Sequence, residues 1–409
     1  MSIIAFTNAR IFDGVRAQYL DESTVVVEGT KIVEVSSAAA HRKADEVVDL
    51  RGRTLIPGLI DAHCHVLGST LKVAEIETQP LTYVSHHATR MLGHALRCGF
   101  TTVRDVVGGD AGTARALEEG LLQGPRLFYA GRALSMTGGH GDFRDPMVAV
   151  GACSCAAESR VSAIVDGVDA VRAAAREELR RGAHHLKLMM SGGVLSPTDP
   201  LWMDQFSDEE VQVAVEEAAR RRRYVAAHCH PAVSIARAAR LGVRSIEHAT
   251  LIDAASAEAV KSAGAYVVPT LVIGRALLDG AATAGLPAWA AGKLKEISDQ
   301  ALSGLELMHR TGLKIGFGTD LLGPLYTQQA REFALRREVQ PAIEILRSAT
   351  SVNAEMMQEP TLGRISVGCE ADLLAVDGDP LADVAVLDQD GKGLAAIMQR
   401  GTWVKRLSP

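Results

Sequence analysis

No basic stripe runs through this 409-residue chain: lysine and arginine number 43 against 49 acids, the net charge is −6, and the two signs are interspersed. That argues against nucleic acid or an anionic membrane surface as a partner. No apolar run approaches the roughly 18 residues needed to span a bilayer. The opening MSIIAFTNARIFDG lacks a basic leader, a long apolar core and a small-residue cleavage site, so it reads as a strand and not a signal peptide. Six cysteines lie too scattered for a disulfide scaffold and fit a reducing cytoplasm. Cys153 and Cys155 form one C-x-C with no second pair after it, so loop or buried thiols are expected there in place of a zinc clip.

What is present suits a large α/β barrel with an added module, with 47% hydrophobic and 22% charged residues. The first fifty-odd residues alternate apolar and polar positions between Gly and Asp punctuation, and the end of the chain returns to that style in GCEADLLAVDGDP and GLAAIMQRGTWVKR. Period-two patterning marks short antiparallel strands. A small β-sandwich domain assembled from residues 1–57 and 363–409 is therefore expected. Between them, residues 58–362 alternate apolar strands with amphipathic helices. Eight strands are expected: Leu55–His65, Thr101–Asp105, Arg126–Ala133, His184–Met190, Tyr224–His230, Ser245–His248, Tyr266–Leu271 and Lys314–Asp320. Ser207, with Glu210 three residues on, has the spacing of a helix capping box. Eight such units predict a (β/α)8 barrel with its chemistry at the carboxyl ends of the strands. An open doubly wound sheet is the rival, but HCHVLGST is a poor phosphate-binding loop. The long segment from Leu134 to about Val165 reads as a functional lid.

Polar residues mark the ends of several of these strands. His63 and His65 share a face, with Cys64 turned the other way; Lys187, His228, His230, His248 and Asp320 follow on later strands. A single strand-end histidine is usually structural. Histidines at three strand ends with a terminal Asp predict a divalent metal site, and imidazole with carboxylate suits Zn2+. Lys187 sits inside HHLKLMMSGG, where burial and nearby cations lower an amine's pKa. A neutral amine can take up CO2 as an anionic carbamate able to bridge two metals; a lysine snorkelling to the rim or pairing with an acid is the plainer alternative.

The motifs PGLIDAHCHV, GFTTVRD, GRALSMTGGHGD, LKLMMSGGVLSPTDP, AAHCHP, RSIEHATLID, IGFGTDLLG and LGRISVGCEADLLAVDGDP resemble the amidohydrolase superfamily, in its Xaa-Pro dipeptidase and carboxypeptidase-like branch, over nearly the whole chain. The resemblance implies a two-metal hydrolase of small amide or peptide bonds. It assigns His63, His65 and Asp320 to one metal, His228 and His248 to the other, and a carboxylated Lys187 with a hydroxide between them. Periodicity alone cannot choose between His228 and His230; the resemblance picks His228. Related dipeptidases often carry Tyr at the place of His230, and His140 in TGGH resembles a substrate-contacting residue. On this reading hydroxide attacks the carbonyl, His140 or His230 steadies the oxyanion, and Asp320 passes the proton to the leaving amine. Arg144 either forks onto a substrate carboxylate or ties the lid to Asp142 or Asp145. No role is assigned to His41, His94, His184 or His309.

The substrate expected is a dipeptide or N-acyl amino acid, or alternatively a xenobiotic or secondary-metabolite amide, carbamate or urea. A deaminase is disfavoured because HCHPAVS lacks a following Glu, and a scaffold because every ligand position is filled. Assembly into a homo-oligomer is expected from the resemblance.

Overall fold

The computed structural model describes residues 2–37, 42–144, 147, 159–284, 286 and 288–407. His41, Cys153, Cys155 and the middle of the expected lid lie outside the described residues. The alternating amino-terminal segment gives β1 (Ile3–Ile11), β2 (Leu20–Glu28), β3 (Lys31–Ser36), β4 (Glu46–Asp49) and β5 (Thr54–Pro57). The α/β middle gives β6 (Leu59–Cys64), β7 (Phe100–Asp105), β8 (Arg126–Tyr129), β9 (Ala133–Ser135), β10 (Ser162–Ile164), β11 (Leu186–Met189), β12 (Val225–Pro231), β13 (Ser245–Leu251), β14 (Tyr266–Val268) and β15 (Lys314–Ile315). The carboxyl end adds β16 (Leu373–Val376), β17 (Leu394–Gln399) and β18 (Thr402–Lys405).

Both ends of the chain share one eight-stranded sheet, ordered β18-β17-β16-β5-β1-β2-β3 with β4 paired to β1. They meet where β5 runs antiparallel to β16, Ile56 opposite Leu374. Its alternate residues Phe6, Val25, Val27, Ile32 and Leu55 are buried together, as the period-two pattern requires.

The middle is a mixed α/β fold with two parallel sheets, β6-β7-β8 and β10-β9-β11-β12-β13-β14-β15. Backbone hydrogen bonds bridge their edges on both sides: Ala62 N donates to Phe317 O at 2.8 Å, and His184 N to Tyr129 O at 2.8 Å. The eighth strand is far shorter than Lys314–Asp320. Side chains add to its backbone bonds: the Asn353 amide donates to Ile60 O and Phe317 O and accepts from Phe317 N, while Arg336 donates to Gly316 O. Strands β9 and β10, which the pattern did not separate as elements, lie at the edge beside β11.

Helices cover the strands. Ser207 caps the helix Asp208–Arg220 with both halves of the capping box formed, an arrangement worth about 1 kcal/mol. In β11, Leu186 and Leu188 pack into the apolar cluster under the helices, which turns Lys187 and Met189 toward the opposite side. That alternation positions the site.

Candidate active site

One cavity of about 360 Å³ opens on that side, lined by His63, His65, Lys187, His228, His248 and Asp320 at its polar end. His140 and His230 line it too. Cys64 packs instead among Val84, Ala88 and Met91, and Cys229 in the apolar cluster with Ile235.

His65 Nε2 lies 2.8 Å and His63 Nε2 3.3 Å from Asp320 Oδ1. The ligand atoms of these three residues fall within 4.8 Å of one another, a group able to hold a metal ion. His248 stands beside them, its ring 4.9 Å from that of His63 and its Nδ1 2.8 Å from Thr270 Oγ1. The His228 ring lies 4.7 Å from His248 and 4.7 Å from His230. Burial, and then the neighbouring histidines, push His228 far below its ordinary pKa, and burial does the same to His248. Burial takes His230 down to about 3. All three are therefore neutral imidazoles with lone pairs to offer a cation. Burial alone would raise the Asp320 carboxyl, but the charge and hydrogen bond of His63, joined by His65, outweigh it and hold the group well below the usual range.

Lys187 is only 2% exposed, and burial pushes its amine down to about 8 against the opposing pull of Glu247 and Asp320. It is a strand-borne amine, walled in away from the rim, which removes the snorkelling alternative.

Several residues that sequence reasoning left aside build this floor. Glu247 accepts from His63 Nδ1 at 2.7 Å and pairs with Arg104 at 2.8 Å, both wholly buried; Arg104 also donates to Ala62 O at 2.6 Å. Asp61 accepts from Thr319 Oγ1 at 2.6 Å and from the His63 amide at 3.1 Å, tying β6 to the turn that carries Asp320. The signal was available: Arg104 and Glu247 are charged residues inside apolar strands, as Lys187 is.

His140 stacks on His228 with ring centroids 4.1 Å apart, and its Nδ1 meets Ser196 Oγ at 2.7 Å and Asp199 Oδ2 at 3.4 Å. A Cβ at Gly193 would sit 2.2 Å from this ring, so glycine is needed there for the close approach. Lys293, from the helix Ala288–Thr311, donates to the carbonyls of Gly193, Ser196 and Asp199 at 2.9, 2.9 and 2.6 Å and fixes that loop. His230 Nδ1 lies 3.1 Å from Thr250 Oγ1. Arg144 forks onto Asp142 at 2.6 and 2.5 Å, is 47% exposed, and is not among the residues lining the cavity. Of the two roles weighed for it, this placement matches the lid tie.

Imidazoles and a desolvated lysine on parallel strands, with a carboxylate on an adjoining turn, line one cavity, and the sequence profile of the amidohydrolase family matches residues 54–404. The chain belongs to that family, an enzyme class hydrolysing amide bonds and generally using divalent metals. It is 34% identical to an ochratoxinase of Aspergillus niger over 366 residues, 86% of this chain and 75% of that protein. A crystal structure of an amidohydrolase superposes with a TM-score of 0.97 at 40% identity, covering 100% of both chains. A prolidase complexed with N-methylphosphonate-L-proline gives 0.96 at 42% identity, over 99% of this chain and 100% of that one.

Proposed function

We propose that this chain is a two-metal amidohydrolase in which His63, His65 and Asp320 hold one divalent cation, His228 and His248 a second, and Lys187, carboxylated by CO2, serves both. The observation that carries this reading is the convergence of those six side chains, from four strands and one turn, on the floor of one cavity. The donor set fits: four imidazoles, of which burial keeps those of His65, His228 and His248 neutral, an ionised carboxylate, and an amine whose neutral form is accessible near pH 8. Nitrogen and carboxylate donors suit zinc. Bound cations would lower the pKa of water toward neutrality and act as Lewis acids on a carbonyl oxygen.

The chain's own residues do the rest. Asp320, ionised and at the cavity floor, takes a proton from the attacking water and returns it to the leaving amine. With Nδ1 accepting from Thr250, His230 carries its proton on Nε2 and donates to the substrate carbonyl oxygen. His140, clamped by Ser196 and Asp199, closes the same side of the cavity. The outer wall of Leu195, Ile273, Leu277, Leu294 and Ile297 receives an apolar substituent. The two parallel sheets, bridged at both edges, then close as the (β/α)8 barrel of residues 58–362, beside a β-domain of residues 1–57 and 363–409. The same reading makes the protein a cytoplasmic homo-oligomer.

Similarity to a prolidase supports Xaa-Pro dipeptides or N-acyl amino acids as substrates; similarity to an ochratoxinase, together with the apolar wall, supports a bulky secondary-metabolite amide. A panel of Xaa-Pro dipeptides, N-acyl amino acids and aryl amides separates the two by kcat/KM. Chelation is expected to abolish turnover, and zinc with bicarbonate to restore it. Full activity in protein shown by elemental analysis to be cation-free overturns the proposal.

A further inference from the structure

Outside the lining of the catalytic cavity, a second cluster joins the end of a helix to the terminal sheet. His94 lies in the last turn of the helix Leu81–Arg97, and Cys98 caps it four residues on, so both project from one face. Asp390 reaches them from the loop before β17. Cys98 Sγ is 3.4 Å from His94 Nε2 and 3.3 Å from Asp390 Oδ1, and His94 Nε2 is 3.3 Å from the same oxygen. The three form an almost equilateral triangle.

Hydrogen bonding accounts for two sides of such a triangle at most comfortably, since one thiol proton serves one acceptor. A tetrahedral zinc ion, with Zn–S about 2.3 Å and Zn–N or Zn–O about 2.0–2.1 Å, sets its ligand atoms roughly 3.3–3.6 Å apart. The N···O edge, 3.3 Å, matches the lower figure, and the two sulfur edges, 3.4 and 3.3 Å, stand about 0.2–0.3 Å inside the upper one. Imidazole, thiolate and carboxylate is also a zinc donor set, and the sulfur selects against calcium and magnesium. The position helps: the carboxyl end of a 17-residue helix carries the negative end of its dipole, which favours a cation. The Arg97 side chain works against one, but thiolate and carboxylate supply two negative charges to a dication. Asp390 is 58% exposed, which leaves a fourth position open to water.

The loop is built for this approach. Asp390 holds a left-handed backbone (φ 53°) although it is not glycine. At the next residue, Gly391 (φ 74°), a Cβ would stand 2.2 Å from Arg97 O, so only glycine lets the loop press onto the helix end.

We propose that His94, Cys98 and Asp390 form a second divalent-cation site, for zinc, that clips the carboxy-terminal sheet to the helix Leu81–Arg97. On binding, the Cys98 S–H bond breaks, its proton goes to solvent, and the thiolate pair forms the bond to the cation. Among the described residues no cysteine lines the catalytic cavity, so a sulfur signal that Cys98→Ser removes reports on this site.

The test loads the full chain with Co2+ and records its near-ultraviolet spectrum, beside zinc counts by elemental analysis. Wild type is expected to show thiolate-to-cobalt charge transfer that Cys98→Ser abolishes. Cys98→Ser and the surface change Asp390→Ala are each expected to lose one zinc per chain while amide hydrolysis stays within about twofold of wild type. Absence of the charge-transfer band in wild type, or equal zinc counts in all three proteins, overturns the site and identifies a hydrogen-bonded triad. The two-metal catalytic reading is judged separately: its failure removes the cations that do not depend on Cys98 and leaves the sulfur band in place.

Discussion

Asp320 and His248 hold left-handed backbones, at φ 59° and 67°, though neither is glycine. Each such residue costs roughly 1–3 kcal/mol, and strain of this kind persists where the surroundings fix it for function. Here Asp61 and Thr319 fix the turn at Asp320. Asparagine at 320 would keep the shape and lose the base, so Asp320→Asn is expected to lower kcat by about 10²–10⁴-fold while KM changes little. Comparable turnover with the metals intact would exclude Asp320 as the proton carrier. At this scale the sequence was readable where residue type and strand position coincide. The H-x-H pair, Lys187, His228, His248 and Asp320, all read as strand-end residues, lie within or just after four strands and on one turn, and all reach one cavity. Asp199, Ser196 and Lys293 were not readable, because they act through loop geometry that no periodicity encodes.

Among elements, β6, β7 and β13 are joined by a buried polar chain: Ala62 O, Arg104, Glu247, His63. Removing one member of a buried ion pair leaves the other uncompensated, at a cost of about 3–5 kcal/mol. Glu247→Gln is therefore expected to lower the calorimetric Tm and to loosen His63, whose Nδ1 loses its anionic acceptor. The double change Arg104→Met with Glu247→Leu should recover much of the stability and none of the activity; recovered activity would show that the pair does not orient His63. Strand positions were legible from apolar runs, yet β15 ends after two residues. It pairs with β14, and just beyond it Gly316 and Phe317 bond the side chains of Arg336 and Asn353, which lie outside any strand and carry no strand signature.

Over the whole molecule, buried histidines couple stability to acidity. His184 packs edge-on against Phe128 and Tyr129, and burial, with Arg223 nearby, takes its pKa down to about 4. The unfolded chain binds a proton near pH 6.5 that the folded chain refuses until about pH 4. Stability therefore falls as pH drops through that window, by up to about 3 kcal/mol from this residue. Denaturant midpoints of the metal-loaded protein should decline from pH 6.5 to 4, and His184→Phe should flatten the slope; an unchanged slope would assign the effect elsewhere.

The sheet that unites both chain ends sets a timetable. Strand β5 is the immediate neighbour of β6, which bears His63, yet its partner β16 lies more than 300 residues later. At roughly 5–20 residues per second of translation, β5 waits on the order of tens of seconds on the ribosome with that edge uncovered. A nascent chain thus displays an open, aggregation-competent border until β16 emerges, and chaperone demand should last until then.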